Sequence, residues 1–150
     1  MPGGKDDKAL ALAVAKRLHS LEGTAPAWGL TLEDAGPGWA RASMTVRADM
    51  LNGLHTAHGG MIFALADTVF AWACNSRNVA TYAQAASISF LSAGRLGEKL
   101  TAEAREDAAE GRSGVYTARV LGEDGRIVAV FQGLSRTRGG PVINPNADGC

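Results

Sequence analysis

One acidic side chain stands where ionisation costs most. Asp67 lies within Met61 to Cys74, a run with no proline, no internal glycine and almost no polar side chain. A charged carboxylate in apolar surroundings is destabilising unless it is paired or used. A residue that contradicts its local pattern is where function is sought first. His58-Gly59-Gly60 opens the run, and Asn52-Gly53 precedes it with turn residues. Glycines at a helix start leave backbone N–H groups unpaired at the positive end of the helix dipole, and they let a ligand approach closely. A carboxylate can serve as a general base or as a nucleophile. The stretch from Asn52 to Arg77 therefore holds the groups that chemistry would use.

The elements that position them follow from pattern. The run from Met61 reads as a helix that is apolar nearly all round, hence a buried one, ending near Asn75 or Asn78. Lys8 to Leu21 predicts an amphipathic helix through Leu10, Val14, Leu18 and Leu21. Trp28 to Glu33 and Trp39 to Val46 alternate like strands of a hairpin, with a turn over Asp34 to Gly38. Four more strands are predicted after the helix: Thr81 to Leu91, Lys99 to Ala108, Val115 to Leu121 and Arg126 to Thr137. Glu123-Asp124-Gly125 marks the last tight turn. A single apolar helix needs a surface around it. One antiparallel sheet of about six twisted strands supplies it, an α+β architecture with an exposed convex face and exposed edges. Self-association is the usual way to cover both.

Length and composition bound the reading. The 150 residues fit one domain, expected over residues 1–138 with a flexible tail over residues 139–150, and acidic and basic residues balance at 15 each. That balance points to no nucleic-acid or membrane surface. Cys74 inside the helix and Cys150 at the end form no disulfide framework, which fits a reducing compartment and a cytoplasmic protein.

The residues also resemble a known family. Asn52, then His58-Gly59-Gly60, then Asp67 is the pattern of the hotdog-fold acyl-CoA thioesterases, most similar to their phenylacetyl-CoA group. Ser87 to Ala104 resembles that family's strand, turn and strand after the helix, with Ala93 where proline is common. Gly111-Arg112-Ser113 and Ser135-Arg136-Thr137 match less specifically. The resemblance covers about Leu10 to Arg138 and implies a hotdog fold, thioester hydrolysis, and active sites shared between subunits of a dimer that usually pairs into a tetramer.

A thioester carbonyl becomes an oxyanion during hydrolysis and needs donors set in advance. Gly59 N–H is assigned as the principal donor, with Gly60 beside it, and Asp67 as base or nucleophile. Asn52 is expected to position substrate or nucleophile rather than serve only a turn. His58 is expected to shape the loop and hold a hydrogen bond near the carbonyl. The pantetheine arm would run along Ser87 to Leu91, Phe90 included, and the turn after it from Ser92 to Gly97, and Arg95, Arg112, Arg136 and Arg138 are candidates for the CoA phosphates. His55 and His58 lack a third well-spaced ligand, so no metal is expected, nor any cofactor. Phe63, Phe70 and Trp72 read as core, and Cys74 as a small buried hydrophobe. Eight residues separate Gly59 from Asp67, or about 12 Å along a helix axis, too far for both to serve one carbonyl. Antiparallel helices in a dimer would bring Gly59 of one chain to Asp67 of the other. The alternatives are a 3-hydroxyacyl thioester dehydratase using His58 with Asp67, and a non-catalytic acyl-CoA-binding module.

Overall fold

Apolar side chains around the whole of Gly59–Cys74 drive this helix, α3 in chain order, into the hollow of a sheet. The computed structural model describes residues 4–144. Two helices, α1 (Lys5–Leu21) and α2 (Thr24–Ala27), precede β1 (Thr31–Gly36) and β2 (Trp39–Thr45). After α3 come β3 (Thr81–Phe90), β4 (Lys99–Glu110), β5 (Ser113–Leu121) and β6 (Ile127–Thr137). The strands form one six-stranded antiparallel sheet in the order β1-β2-β4-β5-β6-β3. This is the hotdog arrangement that the resemblance implies. Among the described residues no helix is long and apolar enough to cross a membrane.

Small residues let the helix sit close. Ala40, Ala104 and Ala118 form one cross-strand row, and Ala42, Ala102 and Val120 the next, all fully buried. Ile62, Leu65, Val69 and Phe70 of α3 join the same core. Gly133 on β6 has a specific reason to lack a side chain: a Cβ there would fall 2.6 Å from the Phe70 ring. Phe70 in turn packs edge-on to Tyr116 and tilted to Phe131.

Some boundaries depart from expectation. The first strand starts at Thr31 instead of Trp28, because Thr24 to Ala27 takes a helical turn that Gly29 closes at φ +65°. Leu30 N–H then bonds back to Ala25 O at 2.9 Å, which overrides the alternation through Trp28. The gap between the strands expected to end at Ala108 and begin at Val115 narrows to Gly111 and Arg112, with Gly111 at φ +59°. Helix α1 begins at Lys5, and Leu21, expected on its apolar face, is 66% exposed; Ala11, Val14 and Ala15 make the buried face instead.

The chain after β6, expected to be a flexible tail from residue 139, is held as far as Asn144. Asn78 Oδ1 accepts from Val142 N–H at 2.9 Å and Ile143 N–H at 2.8 Å, and Gly140 O accepts from Ala80 N–H. Residues 145–150 of that expected tail lie outside the described residues.

Among the described residues, two apolar surfaces stay uncovered. On α3, Phe63, Ala64, Asp67, Thr68, Ala71 and Cys74 are only half-buried, although all but Asp67 and Thr68 are apolar. Edge strand β3 is exposed along nearly its whole length, with Tyr82 at 52% and Phe90 at 51%.

The Gly133–Phe70 contact makes a prediction. Gly133→Ala should cost about 1–3 kcal/mol through overpacking. Thermal unfolding reads it as a lowered Tm; an unchanged Tm would mean the Phe70 ring has room to shift.

Candidate active site

The start of α3 is built by local hydrogen bonding. His58 is its N-cap, in extended conformation, and His58 Nδ1 accepts from Gly60 N–H at 2.9 Å. An accepting Nδ1 leaves the ring proton of neutral His58 on Nε2. His58 O accepts from Met61 and Ile62 N–H. The expectation that both glycines offer free donors is therefore corrected: Gly60 N–H is consumed by the cap. Gly59 N–H, at the first helical position, has no partner among the described residues.

The loop before it is tied by Asn52. Asn52 Oδ1 accepts from Leu54 N–H at 2.9 Å and Thr56 N–H at 3.1 Å, and Nδ2 donates to Thr56 Oγ1 at 3.0 Å. Asn52 N–H also meets Thr56 O at 2.8 Å. The carboxamide thus organises the loop and keeps one Nδ2 hydrogen to spare.

These groups open on one hollow. Asn52, Thr56, Ala57, Gly59, Ile62, Phe90, Leu91, Ser92 and Ala93 line a cavity of about 420 Å³. Phe90 forms its roof over Gly59, since a Cβ on Gly59 would lie 3.0 Å from Phe90 Cζ. A larger hollow, about 510 Å³, lies on the outer sheet face among Arg41, Glu103, Arg105 and Arg119. It contains none of the expected site residues, and its ion-paired walls suit solvent better than a thioester.

Asp67 does not reach the Gly59 cavity. It stands about 12 Å further along α3, on the half-covered stripe. It has no hydrogen bond or ion pair among the described residues, and burial pushes its carboxyl above the usual aspartate range. Cys74, seven residues further along that stripe, is pushed up to about 12, chiefly by burial, so its thiol is inert as a nucleophile.

The other expected residues divide between two ends of β3. Phe90 and Arg95 lie at the Gly59 end, Arg95 exposed on the loop from Ser92 to Gly97. Arg112 and Arg136 lie at the opposite end, where Arg136 is the register partner of both Ser113 and Tyr82. Arg138 Nη1 donates to Tyr82 Oη at 2.6 Å. The two ends are roughly 27 Å apart. Ser87 lies between them, in a separate depression with Ala85, Gln132 and Leu134. Sequence reasoning missed Thr56, Ala57 and Ile62 as lining residues. Thr56 had a signal, an Asn-Gly followed closely by threonine, which suits a side-chain-tied loop. Ser92 and Ala93 lie in the turn along which the pantetheine arm was expected to run.

The cap makes a prediction. His58→Ala should cost about 1 kcal/mol of stability and free Gly60 N–H to solvent. Lowered Tm with faster exchange of the Gly60 amide is the expected result; unchanged exchange would remove the capping role.

The sequence and fold have known counterparts. Residues 54–129 match the Thioesterase superfamily model. The chain is 39% identical over 128 residues to the acyl-coenzyme A thioesterase PaaI of Escherichia coli, spanning 85% of this chain and 91% of that protein. It is 39% identical over 111 residues to a putative esterase of Deinococcus radiodurans, spanning 73% and 75%. Its fold matches the E. coli PaaI structure from the phenylacetic acid degradation operon with a TM-score of 0.87 at 38% identity, over 89% of this chain and 97% of that one. A mutant form of the phenylacetic acid degradation protein PaaI from Thermus thermophilus matches at 0.74 and 34% identity, over 77% and 98%. With the expected sheet, the buried helix and the glycine-opened helix start in place, the chain belongs to the hotdog-fold thioesterase superfamily.

Proposed function

We propose that this acyl-CoA thioesterase hydrolyses an aryl- or short-to-medium-chain acyl-CoA, with phenylacetyl-CoA or a hydroxylated relative as the leading substrate. The observation that carries the chemistry is the pairing of one unpartnered amide, Gly59 N–H, with one unpartnered, half-buried carboxylate, Asp67. The aryl preference is supported by the similarity to PaaI and by the aromatic roof that Phe90 lays over Gly59.

The catalytic unit in this reading is a dimer. The uncovered α3 stripe and the exposed edge of β3 are the two surfaces a second copy would cover. Antiparallel pairing of β3 with its equivalent would bring Arg112, Arg136 and Arg138 of the partner subunit toward the Phe90 end. It would also turn the partner's Asp67 toward Gly59. A tetramer made of two such dimers is the fuller assembly this reading expects.

In each site the thioester carbonyl oxygen accepts a hydrogen bond from Gly59 N–H, so negative charge develops beside the positive end of α3. Asp67 of the partner subunit takes a proton from water as the water oxygen attacks the carbonyl carbon. The tetrahedral intermediate then expels CoA as the thiolate, which is protonated. Direct attack by the carboxylate would instead give a mixed anhydride, which water cleaves to the same acid. Asn52 holds the loop and offers its remaining Nδ2 hydrogen to the substrate. His58, with Nδ1 committed to the cap, presents Nε2–H toward solvent and substrate. Arg95 from one end and Arg112, Arg136 and Arg138 from the other would meet the CoA phosphates, while Ser87 would flank the pantetheine arm.

Free-thiol release from phenylacetyl-CoA, its hydroxylated forms and straight-chain acyl-CoAs tests the reaction. Asp67→Asn should lose at least about 100-fold in kcat while still binding substrate. Its Tm should equal or exceed that of wild type, because a desolvated charge is removed. Since burial raises the folded-state pKa of Asp67, the deprotonated form is lost at a higher pH than for an ordinary aspartate, so the acid limb of kcat/KM should have its midpoint above 3.8. No thiol release from any acyl-CoA, or full activity in Asp67→Asn, would sink the assignment.

Sharing of sites has its own test. Gly59→Pro removes the N–H at a helix position that tolerates proline. Mixed with Asp67→Asn, two inactive proteins should regain about a quarter of wild-type activity, since half the dimers are mixed and each holds one intact site. Mixtures as dead as their parents would place both groups within one chain.

A further inference from the structure

The wall of the Gly59 cavity is held from behind. Ser92 and Ala93 belong to the β3–β4 connection, and Glu98 and Arg126 grip that connection on the side away from the cavity. The Glu98 and Arg126 side chains are 8% and 19% exposed. Arg126 Nη1 donates to Glu98 Oε2 and Nη2 to Glu98 Oε1, both at 2.7 Å, a fork-to-fork pair. Nη2 also donates to Ala93 O at 2.5 Å, and Nη1 to Asp124 Oδ1 at 2.9 Å. Glu98 Oε1 accepts from Arg95 N–H at 3.0 Å and Oε2 from Glu123 N–H at 3.3 Å. The pair therefore brackets Gly94 from both sides. Ser92 Oγ, donating to Ile127 O at 2.8 Å, anchors the same segment to β6.

Gly94 passes the constraint on. Its carbonyl accepts from Ala57 N–H at 2.9 Å, and the contact is close enough that a Cβ on Gly94 would lie 3.0 Å from Ala57 Cβ. Ala57 precedes His58, the cap of α3, and Gly59 follows. His58 N–H is fixed to Met50 O at 2.8 Å. One continuous path thus runs from the Arg126 guanidinium to the free Gly59 amide.

We propose that Glu98 and Arg126 are positioning residues for hydrolysis: by clamping Ala93 to Arg95, and through the Gly94–Ala57 hydrogen bond, they hold Gly59 N–H where it meets the substrate carbonyl. This rests on Gly59 being the oxyanion donor. A buried ion pair is a weak source of stability, and well-packed apolar residues serve that purpose as well or better. Apolar residues cannot bind Ala93 O, Arg95 N–H and Glu123 N–H together, and that is what this pair does. Its partner holds the Glu98 carboxyl down to about 2, so the clamp stays charged across any ordinary working pH.

The test compares wild type with Arg126→Gln, Arg126→Lys and the Glu98→Gln/Arg126→Gln double variant, with rates corrected for folded fraction. A displaced donor should lower kcat about 10- to 100-fold in Arg126→Gln, with KM changed by less than about threefold. Lysine, which keeps the charge but not the fork, should recover part of the rate, as should millimolar guanidinium added to Arg126→Gln. A kcat within about twofold of wild type in Arg126→Gln overturns the proposal. If that variant does not fold, the neutral double variant is read by the same limits. Residue-resolved amide exchange gives an arm independent of turnover. Ala57 should exchange at least about tenfold faster in the variants while amides of the β4–β5 ladder do not change. Unchanged Ala57 exchange overturns the proposal. A wild type that hydrolyses no acyl-CoA overturns the functional reading instead, and the exchange arm still decides the mechanical link.

Discussion

The close seating of α3 on the alanine-lined hollow of the sheet is the contact from which the other features follow. The rows through Ala40, Ala104 and Ala118 and through Ala42, Ala102 and Val120 remove side-chain bulk where the helix axis passes. Gly133 removes it again beneath Phe70. Burial of the face formed by Ile62, Leu65, Val69 and Phe70 supplies the main driving force. It also leaves the two ends of the helix and one lengthwise stripe as the only parts of α3 that meet solvent or another molecule.

That seating decides which polar groups are available. At the N-terminal end the His58 cap takes Gly60 N–H, so a single amide, Gly59, stays open at the positive end of the dipole. Along the stripe, Asp67 is desolvated enough to be a stronger base than a free aspartate, yet it has no hydrogen-bond or ion-pair partner among the described residues. Both groups cost stability when left unpaired. The protein tolerates them at two points on one rigid helix, and rigidity makes their separation as fixed as their chemistry. About 12 Å of helix between them argues for sites completed by a second copy, and the exposed β3 edge and half-covered stripe are the surfaces suited to supply one.

The loops around the helix start are more heavily tied than loops usually are. Asn52 binds its own loop through Thr56 and Leu54, Gly94 binds Ala57, and the Glu98–Arg126 pair binds the connection that carries Gly94. A catalytic amide on a backbone cannot be tuned by changing its own side chain. Its placement has to come from neighbours, and in the proposed site this network of backbone-directed hydrogen bonds would supply it for Gly59.

Local signals along the chain specify the architecture and mark the groups proposed to react. The apolar period of Met61 to Cys74, the alternating runs after Thr81 and the Glu123-Asp124-Gly125 turn are such signals, and strands and helix follow them to within a few residues. Asp67, Gly59 and Asn52 were legible as candidates because each contradicts or punctuates a local pattern. What failed locally also failed for a physical reason: the alternation through Trp28 lost to a helical turn closed by Gly29, and the buried face of α1 runs through Ala11 and Ala15 instead of reaching Leu21. Folding in three dimensions was needed to spend Gly60 N–H on His58, to lay Phe90 over Gly59, and to join Glu98 to Arg126 across 28 positions of sequence. The same holds for the division of the arginines between opposite ends of β3. Those facts depend on strand order and register, which join residues far apart in the chain, and no spacing pattern along the chain encodes which of two distant polar groups will meet.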